Sequence, residues 1–111
     1  MAIERMNTLD RTFQALAHQT RRQILERLID EPGVSAGSFA SQFDVAQPTV
    51  SRHLQQLERA GLVTRQVVGR SHVFFANAQA LSTADAWLAD HRAFWTASID
   101  RLGQYLEEDK P

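Results

Sequence analysis

The sequence predicts a mainly α-helical fold with one β-hairpin, closed by a long helix. Three observations predict it. Apolar residues recur at helical spacing through residues 9–29 and 50–57. Two β-rich runs flank the short turn Gly69-Arg70. An amphipathic stretch then runs from Thr83 to about Glu107. With 111 residues, 43% of them hydrophobic, one small domain over residues 1–111 is expected rather than two cores.

The elements follow in order. Leu9, Phe13, Leu16 and Ala17 fall on one face of a first helix. Thr20-Arg21-Arg22-Gln23 has the form of a capping box and is expected to start a second helix, with Ile24, Leu25, Leu28 and Ile29 as its core stripe. Pro32-Gly33 stops that helix. Ser35 caps a short third helix whose inner side is Phe39, Ala40 and Phe43. Asp44-Val45-Ala46 is a three-residue turn. A fourth helix then covers about residues 47–60, with Pro48 in its first turn, where no N–H is needed. Gly61 ends it and Leu62 supplies the apolar contact that accompanies such an end. Residues 63–68 and 71–76 read as a hairpin about Gly69-Arg70. The closing helix, about residues 83–107, would be nearly 40 Å long at about 1.5 Å per residue.

Composition removes several function classes. There is no cysteine, which excludes disulfides, zinc-thiolate sites and cysteine nucleophiles. No apolar run approaches the length of a membrane span, and the first residues lack the pattern of a secretory signal, so a cytoplasmic protein with no membrane partner is expected. A Gly-rich phosphate loop, HExxH and a nucleophile elbow are all missing, and the carboxylates are scattered over polar helix faces, so no enzyme is expected. The net charge of −1 divides unevenly. Residues 1–76 carry nine arginines against seven acids, whereas residues 77–111 carry three cations against six acids. The basic side is almost wholly arginine, the residue suited to phosphate and base-edge contacts.

A short helix, a three-residue turn and a second helix form a helix-turn-helix pattern. On the fourth helix Val50, Leu54 and Leu57 cluster within about 60° of one another. The opposite face presents Pro48, Thr49, Arg52, Gln55, Gln56 and Arg59, with no acid, and Glu58 lies to one side. Arg pairs with guanine, Gln with adenine, and Thr with a thymine methyl or a phosphate. The hairpin adds Arg65, Arg70 and His72, read as lying around its tip, where a wing would meet the DNA backbone or minor groove. A winged module that binds protein instead of DNA is the alternative. It would carry apolar or acidic residues at 52, 55 and 59.

These stretches resemble the ArsR-type winged helix-turn-helix repressors of bacteria. The similarity lies in residues 15–25 (ALAHQTRRQIL), 47–54 (QPTVSRHL), 58–63 (ERAGLV) and Gly69-Arg70, and with the element order it covers about residues 8–76. The resemblance implies a winged helix-turn-helix fold with a long C-terminal dimerisation helix. It also implies a recognition helix at about 47–60, a wing at about 63–76 and a homodimer that binds a pseudo-palindromic operator in double-stranded DNA. The residues assigned to DNA are Ser35, Gln47, Pro48, Thr49, Ser51, Arg52, Gln55, Gln56, Arg59, Arg65, Arg70 and His72. Those assigned to the dimer interface are Leu9, Phe13, Leu88, Phe94, Trp95, Ile99, Leu102 and Leu106. Ala46 stands where the family usually has Ser, so Gln47 or a backbone N–H is left to take the phosphate contact. The family's metal sensors use cysteines on the third helix or paired Asp/His positions on the last. This chain has Asp85, Asp90 and a lone His91 there, so no metal and no cofactor is expected. The effector, if the protein has one, stays open.

Among the histidines, His18 reads as a residue ending the first helix, favoured there by the helix dipole. His53, at the edge of the core stripe, reads as a structural hydrogen-bonding residue, and His72 as either phosphate-facing or simply exposed. The Trp87, Phe94, Trp95 and Tyr105 group reads as dimer core ahead of an aromatic ligand pocket.

Overall fold

The three central helices begin and end where terminal backbone groups find partners. The computed structural model describes the backbone of residues 2–108 and the side chains of residues 7–108. The helices are α1 (Ala2–Leu16), α2 (Gln19–Asp30), α3 (Ala36–Phe43), α4 (Gln47–Arg59) and α5 (Ser82–Glu108). The strands are β1 (Val34–Ser35), β2 (Val63–Val68) and β3 (Ser71–Ala76), and a 3₁₀ turn at Ala78–Leu81 leads into α5.

Helix α2 does not start at a Thr20 cap. His18 is the cap: its backbone is extended and its Nδ1 accepts the Thr20 N–H at 3.2 Å. The two helices are held end to end by arginines from the first turn of α2. Arg21 Nε donates to the Ala15 carbonyl and Arg22 Nη1 to the Leu16 carbonyl, both at 2.7 Å. These bonds satisfy the last carbonyls of α1 and leave only Ala17 and His18 between the helices. Along α2, Ile24, Leu25 and Leu28 are buried, but Ile29 is 56% exposed. At 100° per residue it lies about 140° from Ile24, outside the stripe.

The third helix begins as expected, with Ser35 Oγ accepting the Ser38 N–H. It ends at Asp44, a left-handed residue at φ 53°. Helix α4 ends in a two-bond wrap in which the Gly61 N–H donates to Glu58 O and the Leu62 N–H to Leu57 O, each at 3.0 Å. Gly61 sits at φ +79°, the left-handed geometry such an end requires.

The sheet has three strands in the order β1-β3-β2, all antiparallel, where a two-stranded hairpin was expected. Val34 pairs with Phe74 and Ser35 with Val73, which seats the hairpin against the start of α3. The β2–β3 register closes on Val68 and Ser71, so Gly69-Arg70 is the two-residue turn, with Gly69 at φ +62°. Asn77 fastens the hairpin's base: its N–H donates to Leu62 O at 2.8 Å and its Nδ2 to Gly61 O at 3.0 Å.

The core is built from Ile24, Leu28, Phe39, Val50, Leu54, Leu57, Leu62 and Val63, all essentially sealed from solvent. Helix α1 contributes Thr12 and Ala15, while Leu9 and Leu16 are half-buried and Phe13 and Ala17 face outward. Helix α5 contributes only Ala84 as a fully buried residue. The described chain measures 66 × 39 × 20 Å with a radius of gyration of 18.6 Å. A compact chain of this length would have a radius near 13 Å. The long helix therefore stands away from the body that holds the core.

Candidate nucleic-acid interface

Helix α4 is divided sharply into two faces. Val50, Leu54 and Leu57 are wholly buried. Gln47, Pro48, Arg52, Gln55, Gln56 and Arg59 are exposed, and Thr49 and Ser51 are half-buried. The cap residue Ala46 makes no side-chain hydrogen bond; its carbonyl accepts from the Thr49 and Val50 N–H groups. Among the described residues Arg52 and Arg59 have no ion-pair partner.

The polar residues of α4 form two groups, not one face. Gln47, Ser51 and Gln55 line one side of a groove of about 500 Å³, whose far wall is the wing residues Arg65, Arg70 and His72. Ser35 lies in the same groove, beside the first turn of α3. Gln56 and Arg59 turn the other way, towards α1 and α2. Arg52 stands exposed and outside both linings.

Arg70 occupies the hairpin turn, and His72 lies one residue beyond the closing pair, opposite Val67. Arg65 is not at the tip. It pairs with Phe74 in mid-hairpin, its Nη2 donates to Glu58 Oε1 at 2.8 Å, and its guanidinium lies 5.4 Å from the centre of the Phe74 ring. The acid at the side of α4 thus already partners the nearest wing arginine. A strand residue four positions before the turn cannot reach as far as one within it.

His53 and His18 form an unforeseen pair. Their ring centres are 4.5 Å apart, which joins the cap of α2 to the middle of α4. Partial burial, followed by the positive surroundings of His18, Arg21 and Arg52, holds the His53 imidazole below its ordinary pKa of 6.5. Only tertiary packing makes this contact, since the two residues lie far apart in sequence.

On α5 the assigned interface residues share one character. Leu88, Phe94, Trp95, Ile99, Leu102 and Leu106 are all exposed, up to 67% at Ile99. Phe13 meets Trp87 edge to face at 6.1 Å, and Phe94 and Trp95 pack at 5.2 Å. His91 stacks on Trp87 at 4.4 Å with its Nδ1 2.7 Å from the Trp87 carbonyl.

Comparison with known proteins agrees with this geometry. A family model for a helix-turn-helix domain matches residues 16–66. The HTH-type transcriptional regulator Rv2034 of Mycobacterium tuberculosis is 35% identical over 100 residues, covering 90% of each chain. A crystal structure of the ArsR family transcriptional regulator RHA00566 superposes with a TM-score of 0.69 at 31% identity, covering 84% of this chain and 92% of that one. The chain belongs to the ArsR family of transcriptional regulators. Its fold is the family's winged helix-turn-helix, with α3 and α4 as the helix pair and β2–β3 as the wing. A solution structure of the homodimeric winged helix-turn-helix DNA-binding domain of Mb0332 from Mycobacterium bovis also superposes on this ArsR-family chain. There the TM-score is 0.64 at 25% identity, over 79% of this chain and 83% of that one. Among the described residues no helix is long and apolar enough to cross a membrane.

Proposed function

We propose that this ArsR-family protein is a cytoplasmic repressor that binds a pseudo-palindromic operator as a homodimer. One observation carries the reading: α4 projects Arg52, Gln55, Gln56 and Arg59 outward, while the adjoining groove is completed by a wing tipped with Arg70. A major groove admits one α-helix, and these side-chain types match its donor and acceptor pattern. In this reading α4 is the recognition helix, Gln47, Ser51 and Gln55 face the wing side, and Arg52 stands where a base edge would meet it. Pro48 and Thr49 lie at the entering end, and Ser35 and His72 flank the groove.

The second copy is supported by Leu88, Phe94, Trp95, Ile99, Leu102 and Leu106 of α5, which stay exposed among the described residues. Phe13 of α1, edge to face with Trp87, extends the same surface, and in this reading half-buried Leu9 joins it. Two-fold symmetry would present two α4 helices to successive major grooves, with half-site centres about 10–11 bp apart. Repression by occupancy requires only tight operator binding. Activation would require a further surface for the transcription machinery.

Selection of bound duplexes from a random pool tests this reading. The expected product is an inverted repeat with that spacing, found upstream of a gene whose transcription rises when the protein is removed. Recovery of sequences with no common motif would contradict it.

A further inference from the structure

A helix seated in a major groove about 12 Å wide lies between two phosphate ribbons. The wing stands on one side of α4. On the other side, α4, α1 and the first turn of α2 enclose a cleft of about 310 Å³. Arg11, Arg21 and Arg59 line it together with Gln14 and Gln56, and no acidic side chain among the described residues does. None of the three arginines forms an ion pair among the described residues.

Arg21 is preset. It is half-buried, with Nε donating to Ala15 O at 2.7 Å and Nη2 to Gln14 O at 3.2 Å, so its plane is fixed and Nη1 is left over. Those bonds also occupy carbonyls at the negative end of α1 that would otherwise repel an anion. A second arginine cleft, between α2 and α3, shows the opposite design. Its volume is about 850 Å³, but Glu26, Asp30 and Glu31 share its lining. Its Arg27 is bound to Glu31 at 3.1 Å, to Ser38 Oγ at 2.8 Å and to Gln42. With one arginine against three carboxylates, that cleft is net negative and would repel an anion. The α1/α2/α4 cleft has three unneutralised guanidinium groups, the geometry suited to phosphate oxygens.

We propose that Arg11, Arg21 and Arg59 form a phosphate clamp. It holds the DNA strand on the side of the recognition helix away from the wing. The proposal rests on the DNA-binding reading above and extends it to two residues, Arg11 and Arg21, outside the helix-turn-helix and the wing.

The test is a salt titration of affinity for a random-sequence duplex and for a duplex selected from the random pool. It compares the wild-type protein with Arg11→Gln and Arg59→Gln. Arg11 is exposed, so its replacement is expected to leave the melting temperature unchanged. Each phosphate contact contributes about 0.9 to the slope of log affinity against log salt, so Arg11→Gln in a dimer flattens it by about 1.8. Both duplexes should lose affinity by similar factors. Unchanged slopes in both variants, with wild-type binding intact, would overturn the clamp and leave the DNA-binding reading standing. A folded wild-type protein that binds neither duplex would overturn both. A parallel arm titrates inorganic pyrophosphate without DNA, following the arginine Nε–H signals. Saturation of the cleft by pyrophosphate together with unchanged DNA slopes would make it a small-anion site and overturn the proposal.

Discussion

Helices α4 and α5 are both amphipathic, yet they leave opposite faces bare. Helix α4 buries its whole apolar stripe and shows solvent arginine and glutamine. Helix α5 fully buries Ala84 alone and shows solvent two tryptophans, Phe94, Ile99 and three leucines. The uncovered face indicates the missing partner. A polar face rich in unpaired arginine has no need of protein burial and suits a polyanion. A stripe of large apolar side chains, each worth about 1.5–3 kcal/mol when buried, needs another apolar surface.

The largest effect should come from placing a charge in the apolar stripe. Trp95→Asp would bury an unpaired carboxylate at the centre of the proposed dimer. It should weaken association by about 4 kcal/mol, or roughly a thousandfold. Sedimentation at micromolar concentration should then show monomer, with operator binding lost. Unaltered association would mean that α5 meets a different partner.

On α4 the expected effect is smaller and of another kind. Arg52→Ala should cost about 1–3 kcal/mol on the operator and relax the preference at one base per half-site. Equal weakening on random DNA would reduce Arg52 to a phosphate contact. For the wing, Arg70→Ala should flatten the salt slope by about 1.8 and weaken operator and random DNA by similar factors. Changed base preferences beside each half-site, with the slope intact, would make the wing a base reader.

The smallest effect concerns the joint between α2 and α4. The pKa of His53 is lower in the folded chain than in the unfolded one, so the unfolded chain takes up protons first as pH falls. The stabilising effect of a neutral His53 is complete above about 6.5 and is lost as the pH falls through its lowered folded value. The melting temperature should therefore drop between pH 7.5 and pH 5.5, and His53→Gln should make that drop shallower. An unchanged drop would assign it to other groups.

The helix-turn-helix was legible because its signals are local. Ser35 caps, Pro48 opens, Gly61 closes, and Val50, Leu54 and Leu57 mark the inner face. The two-residue turn Gly69-Arg70 was legible for the same reason. Other features were hidden by their nature. A histidine is an unusual cap, so the Thr-x-x-Gln pattern drew the start of α2 two residues too late. Strand β1 is two residues long and carries no period. Arg65 looked free because its partner, Glu58, lies on another element. Arg11, Arg21 and Arg59 come from three helices, and only the fold brings them into one cleft. Ile29 was placed in the stripe by its hydrophobicity, although its angle on the helix lies outside.

The central claim is that α4 faces DNA while α5 faces a second copy, so that the two recognition helices are held at a fixed separation. Affinity for duplexes carrying two half-sites, measured as their centre-to-centre spacing is varied, tests both faces at once. The account predicts a maximum at about 10–11 bp and a steep loss at about 15–16 bp, where the second site has rotated to the far side of the helix. Affinity that does not depend on spacing, with both half-sites occupied by independent single chains, would contradict it.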